Sequence, residues 1–335
     1  MNYRYCVAIR TLGLSGDKFV KELNSIFKQT ILPEKVIIYI AEGYTKPSIQ
    51  IGFEQYISVK KGMVAQRALE YNEINTDFVL LLDDDVYLPD NCVETLFTQL
   101  ENSNGDCIAA DVFHPQKSTF KQMLYDYLAS LSFPRKDDDW AFKVLNNASF
   151  SYNGNPHNGV YLSQSAAGPI SLWKLSALKG IHYQDELWLD NMGFSFGDDQ
   201  LMFQKLYKNG YRLLVSYNSG AVHMDAKSAS SKFQESEGHL YIRAKGMYML
   251  WRRSCYDLSN NTVLDKIIIF SSYFLKQIHL LIIHIGYSLL RRNIRIIGEF
   301  IKGNIDGYKE ARKTFCNIPN FIVFDDNSNS KHSNS

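Results

Sequence analysis

The chain has 335 residues, 45% of them hydrophobic and 21% charged, enough apolar material for one large domain or two modest ones. A formal charge of +1, with no block of Lys or Arg, argues against a nucleic-acid partner; any basic surface is local. The cysteines, Cys6, Cys92, Cys107, Cys255 and Cys316, are odd in number and lack Cys-x-x-Cys spacing, which argues against a disulfide framework or a zinc site and fits a reducing cytosol.

Met1 to Tyr5 lead into a strand with no apolar signal segment, so a cytoplasmic location is expected. Residues 5–9 read as the first strand. Phe19, Leu23, Ile26 and Phe27 then recur at helical spacing, and Pro33 separates that helix from a second strand over 35–40. A further helix is expected around Val64 to Tyr71, ahead of a third strand that ends at Asp83. Strand and helix alternating through short connections predict a parallel sheet with right-handed crossovers. Residues 112–165, rich in aromatics, Asn, Gly and Pro, read as a substrate-facing loop region. Gly168 to Leu178 and Asp198 to Asn209 read as helical, separated by a loop around Trp188. Gly210 then serves as a helix C-cap before a strand over 211–217.

The last third changes character. Residues 239–256 mix aromatic and basic side chains, and 267–290 is long and apolar enough to cross a bilayer, yet Lys276, Gln277, His279 and His284 interrupt it. Lysine at mid-bilayer costs roughly 2.5–3.5 kcal/mol. The preferred reading is therefore an amphipathic helix or helical hairpin on the cytoplasmic face of the inner membrane, edged by Arg291, Arg292 and Arg295. The other reading is a helical pair packed on the protein's own core. Residues 325–335 hold too little apolar surface to fold. The expected division is 1–235, 236–320 and a disordered 321–335.

Chemistry concentrates at the end of the third strand, where Asp83, Asp84 and Asp85 follow the apolar run Phe78 to Leu82. Open α/β sheets bind ligands at the carboxyl ends of their strands. Three adjacent carboxylates call for a cation, and hard ions such as Mg²⁺ or Mn²⁺ bridge carboxylates to phosphate oxygens, which points to a nucleoside diphosphate. The plain alternative is an acidic loop leading to the helix start at Pro89-Asp90-Asn91. Asp198 and Asp199 open a predicted helix, where the dipole favours their ionised form; taken alone they read as an ordinary acidic N-terminus, while an ionised carboxylate in a cleft accepts a proton from an attacking hydroxyl. His223, with Asp225 and Ser228 close behind, ends a strand where its nitrogen is available to a carboxylate-bound metal.

In this arrangement the chain resembles the family 2 glycosyltransferases of the inverting GT-A type, over most of residues 5–225. Leu23 to Pro33 is similar to the family's first helix and its Ser-x-x-x-Gln-Thr-x-x-Pro turn, here Ser25, Gln29, Thr30 and Pro33. Gly62 to Arg67 looks like its glycine-to-arginine segment, Leu82 to Asp85 followed by Pro89 like its Asp-x-Asp site, and Asp185-Glu186 like its Phe-Asp-Glu element. Asp198-Asp199 with Gly210-Tyr211 matches its Glu-Asp and Gly-Tyr pair, and His223 falls where the family often carries a metal-coordinating histidine.

The resemblance implies an α/β, Rossmann-like GT-A nucleotide-sugar-binding domain with a mainly parallel central sheet and a C-terminal α-helical extension. It also implies a metal-dependent inverting enzyme of the surface-polysaccharide type. Its donor is a UDP-, GDP- or dTDP-sugar, its acceptor a saccharide or lipid-linked saccharide, and its cofactor Mg²⁺ or Mn²⁺. Asp199 is the implied base, with Asp198 beside it. Thr11 and Glu42 lie near the nucleotide base, Arg67 near the ribose or phosphates, and Asp83 on the ribose with Asp84 beside it. Asp85, Asp83 and His223 hold the metal. The chain departs from the family at Arg10-Thr11-Leu12-Gly13 and Ala41-Glu42-Gly43-Tyr44, where Pro-Thr-Tyr-Asn and Asp-Asp-Gly-Ser are usual.

Two rivals use the same letters. A haloacid dehalogenase-like phosphatase would take Asp83 as nucleophile, but it wants Thr or Val two residues past Asp85, where Tyr87 stands. A silent nucleotide-sugar-binding protein would have no need of Asp199.

Overall fold

The structure, a computed structural model, describes residues 3–48, 50–112, 119–135, 139–157, 159–192, 197–224, 238–321 and 323–324. Asp225, Ser228 and the tail over 325–335 lie outside the described residues.

The opening follows the sequence pattern closely. Strand β1 (Tyr5–Thr11), helix α1 (Asp17–Ile26), strand β2 (Lys35–Ala41), strand β3 (Glu54–Val59) and strand β4 (Phe78–Asp83) come in chain order, and β1 pairs in parallel with both β2 and β4. Strand β3, absent from the sequence reading, extends the sheet in parallel beyond β2. The helix expected over 64–71 is instead a set of tight turns, with Gln66 N–H donating to the Gly62 carbonyl and Arg67 N–H to that of Val64. Asp190 accepts from the N–H groups of Val64 and Ala65 at 3.0 and 2.9 Å, and this outside partner holds the turns.

After the two-residue β5 (Val86–Tyr87), helix α2 (Cys92–Asn102) leads to β6 (Cys107–Ala110). The 112–165 segment holds more regular structure than expected: helix α3 (Phe120–Ser130), the hairpin β7 (Phe142–Val144) and β8 (Phe150–Tyr152), and strand β9 (Val160–Leu162). Residues read as helical from Gly168 form strand β10 (Ile170–Lys174), with only the short helix α4 (Leu175–Gly180) behind it. Five apolar-rich residues do not distinguish strand from helix by periodicity; here an empty place between β4 and β6 decides. β10 fills it, antiparallel to both. Tight helical turns over Tyr183–Met192 replace the expected Trp188 loop. Helix α5 (Asp198–Lys208), strand β11 (Leu213–Ser216) and strand β12 (Val222–His223) complete this part, and the eight-stranded sheet runs β3-β2-β1-β4-β10-β6-β11-β9.

Both sheet faces are covered. In β4, Val79 and Leu81 join a core with α5, while Leu80 and Leu82 join one with α1 and α2, as alternation along a strand requires. Among the described residues, three C-terminal α-helices follow: a docking helix (His239–Trp251), a long helix (Val263–Arg291) and a closing helix (Arg295–Phe315). Gly303 and Gly307 let the closing helix approach the docking helix. A Cβ on Gly303 would stand 2.8 Å from the Ala244 side chain, and one on Gly307 2.9 Å from the Lys245 carbonyl. The docking helix sends Met249 and Leu250 into the core around α5. A charge cluster seals this junction: buried Glu186 accepts from Arg253 at 2.7 and 3.0 Å and from Lys205 at 3.0 Å. Burial would raise the Glu186 carboxyl, but the Arg253 hydrogen bonds and the Lys205 charge outweigh it and hold the group below its ordinary value.

Candidate active site

The acidic triplet lies where the parallel pattern requires, at the carboxyl end of β4. A polar stripe along the buried side of α1 holds the chain that follows. Glu22 accepts from Val86 N–H at 3.4 Å and Ser25 from Leu88 N–H at 3.2 Å; Gln29 accepts from Val93 N–H at 3.0 Å and donates to the Leu88 and Pro89 carbonyls. This gives the Ser25 and Gln29 positions of the resemblance a physical role. They satisfy backbone groups that would otherwise be buried unpaired.

The same segment, as β5, pairs antiparallel with β12, which sets His223 opposite Val86. Its Nε2 lies 2.9 Å from an Asp85 carboxylate oxygen, across 138 residues of sequence. Neither β5 nor β12 is longer than two residues, so the contact depends on the large sheet that presents them.

Asp83 is engaged differently. Arg10 Nε donates to one of its oxygens at 2.5 Å and Arg10 Nη2 to the second at 3.1 Å, while Arg67 lies 3.4 Å away. Burial would raise this carboxyl, but the two arginines outweigh it and hold the group at about 2. Asp84 accepts a short hydrogen bond from Thr11, whose hydroxyl also accepts from Gly13 N–H at 2.7 Å. Its carboxyl is raised, chiefly by burial and despite that hydrogen bond.

Arg67 reaches across the sheet end to the start of α5. It donates to Asp198 at 3.1 Å, ion-pairs with Asp199 and donates to the Gly168 carbonyl at 3.3 Å. Gly168 N–H in turn donates to Asp199 at 3.0 Å, and a Cβ at position 168 would collide with that carboxylate. Asp198 is closed off with a side chain 7% exposed, whereas the Asp199 side chain is 31% exposed. Of the predicted residues, Thr11, Arg67, Asp83, Asp84, Asp85, Asp198, Asp199 and His223 converge. Glu42 is exposed just past the end of β2, its N–H bonded to the Val59 carbonyl, with no contact to these residues shown.

Sequence reasoning missed Arg10, Gly168 and Gln66. Arg10 carried a usable signal, being a cation near the end of an otherwise apolar strand. Gln66 donates to the Thr11 and Tyr39 carbonyls at 3.1 Å each and ties β1 to β2, and nothing local marks it.

The donor set suits a hard cation that completes its shell elsewhere. Among the described residues no group of three His, Cys, Asp or Glu side chains is arranged to hold an ion by itself. Asp85 and His223 offer one oxygen and one nitrogen donor, the few protein ligands that Mg²⁺ or Mn²⁺ accepts alongside phosphate oxygens. Asp83, committed to Arg10, is poorly disposed to join them.

No family model and no curated protein matches the chain. Solved structures do. Residues 1–349 of S. aureus TarS superpose with a TM-score of 0.50 at 12% identity, covering 93% of this chain and 91% of that one. The same protein in complex with UDP gives 0.49 at 13%, covering 96% and 100%. The mannosyltransferase PcManGT from Pyrobaculum calidifontis, in complex with GDP-Man and Mn²⁺, gives 0.48 at 11%, covering 93% and 88%. Likeness at such identities bears on the fold, and the fold class is the one expected: an α/β GT-A architecture with a large, mainly parallel central sheet and a helical C-terminal part.

Proposed function

We propose that the chain is a metal-dependent inverting glycosyltransferase of the family 2, surface-polysaccharide type. It moves a sugar from a UDP-, GDP- or dTDP-sugar to a hydroxyl of a saccharide or lipid-linked saccharide. The convergence of the Asp85–His223 pair with Asp199 at one end of the sheet carries this reading.

Asp85 and His223 would hold Mg²⁺ or Mn²⁺, which when bound stabilises negative charge on the departing diphosphate. Arg10 and Arg67 keep Asp83 ionised as a ribose-hydroxyl acceptor and add positive charge beside it. Asp199 is the more exposed of its pair and is held by Gly168 and Arg67, which suits a base receiving the acceptor's proton; enclosed Asp198 anchors Arg67. Thr11 and Asp84 form the floor next to the nucleotide, with Glu42 at its outer edge. A phosphatase would need Asp83 as nucleophile, and its commitment to Arg10 counts against that. Four buried cysteines and one exposed, all free, suit a cytoplasmic enzyme.

The test is incubation with a panel of sugar nucleotides and Mn²⁺. One donor is consumed, and Asp199→Asn lowers turnover by about 10²–10⁴-fold while metal-dependent nucleotide binding persists. Asp85→Ala removes the Mn²⁺ dependence of that binding. Unchanged turnover in Asp199→Asn sinks the assignment of the base, and metal-independent binding by the parent protein sinks the metal.

A further inference from the structure

The long helix is built inside out for a protein in water. It runs 29 residues, roughly 43 Å at 1.5 Å per residue, and is the one helix among the described residues long and apolar enough to cross a membrane. Its inward face carries the polar groups. Lys276, 4% exposed, donates to the Asn147 carbonyl at 3.1 Å, and His279 Nε2 lies 3.1 Å from the Tyr127 carbonyl of α3. Tyr273 stacks on Trp251 with ring centroids 4.0 Å apart. These contacts fix the rotation of the helix about its axis.

The opposite face is apolar and exposed. Ile267, Phe274, Ile278, Ile282, Ile285 and Leu289 follow one another at intervals of three, four or seven residues, so they form a single stripe. Each is at least 40% exposed. No charged residue interrupts the outward stripe between Ile267 and Leu290, and at its end Arg291, Arg292 and Arg295 are all exposed. Exposed apolar patches of this extent mark interaction sites.

We propose that this stripe is a lipid-binding surface, seated with the helix axis in the plane of an anionic bilayer and the three arginines among its headgroups. A spanning orientation would strip Lys276 and His279 of the carbonyls that satisfy them. A stripe whose polar member is one small hydroxyl, Ser271, offers little to set a register and suits a fluid partner better than a protein surface, and the arginines supply complementarity to anionic lipid. The surface would hold the enzyme where a lipid-linked acceptor is presented, but binding itself does not depend on the transferase reading.

The test is flotation of the full chain, without nucleotide, with phosphatidylcholine vesicles and with vesicles that also contain phosphatidylglycerol. Light scattering in the absence of vesicles gives the mass. The parent protein floats with the anionic vesicles. Ile282→Glu combined with Leu289→Glu lowers partitioning roughly 100-fold, since two stripe residues no longer bury apolar surface, and both positions, 63% and 73% exposed, leave the fold intact by thermal melting. Replacing Arg291, Arg292 and Arg295 with Gln costs roughly 100-fold on anionic vesicles and little on neutral ones. The proposal is overturned if the parent protein floats with neither vesicle, or if the glutamate pair leaves flotation unchanged. A dimer that fails to float and is split by the glutamate pair overturns it as well and makes a second copy the occupant.

Discussion

The sheet end and the long helix solve opposite problems. At the sheet end, carboxylates are drawn inward and three of them are answered by specific partners: Asp83 by Arg10 and Arg67, Asp85 by His223, Asp199 by Arg67 and Gly168. Along the long helix, Lys276 and His279 are also drawn inward, but what remains outside is, Ser271 apart, an apolar stripe. A buried charge needs a partner of opposite sign, so the first region describes its own chemistry. An exposed apolar stripe needs a different solvent, so the second describes its surroundings.

The sharpest way to break the comparison is at the junction between the two regions. Glu186→Ala leaves Arg253 buried without its carboxylate and Lys205 with one carboxylate, Asp185, in place of two, and is expected to cost about 3–5 kcal/mol in urea unfolding. A loss under about 1 kcal/mol would mean that the cluster does not hold the helices to the sheet.

Acid probes the sheet end through Asp83. The folded Asp83 carboxyl is held at about 2, below its ordinary 3.8. The stabilisation is therefore complete above roughly 4 and is lost as the pH falls through about 2, a contribution of about 2 kcal/mol. Melting from pH 5 downward shows it, and Asp83→Asn flattens that part of the profile. If the variant keeps the parent's slope, the arginine clamp is not its source.

The smallest effect falls on the outer stripe. Leu289→Ser in aqueous buffer is expected to change unfolding free energy by no more than about 0.5 kcal/mol, because the residue is 73% exposed and contributes little packing. A clear destabilisation would show that the stripe is covered by the protein itself, and the contrast between the two regions would fail.

Much of the active end was legible before any coordinates. The apolar run into Asp83 and the carboxylates opening α5 stood out as local chemistry, though each also fits an ordinary acidic helix start, and the Gln29 turn was carried by the resemblance. The middle of the chain was less legible. Ile170 to Lys174 has the same letters as a helix of its length, and the turns over 62–69 hold their shape through Asp190, more than 120 residues away. Arg10 was visible as an anomaly in a strand, yet its role depends on Asp83 lying directly across the β1–β4 ladder.

By itself, then, the sequence determined the alternating sheet, the place of the carboxylates and the existence of a long apolar helix, because periodicity and strand ends are properties of neighbouring residues. Tertiary structure alone decided that His223 meets Asp85, that Asp199 is open where Asp198 is shut, and which side of the long helix faces out. Those outcomes depend on contacts between residues far apart in the chain, and packing against the rest of the molecule selects among arrangements that local chemistry leaves equal.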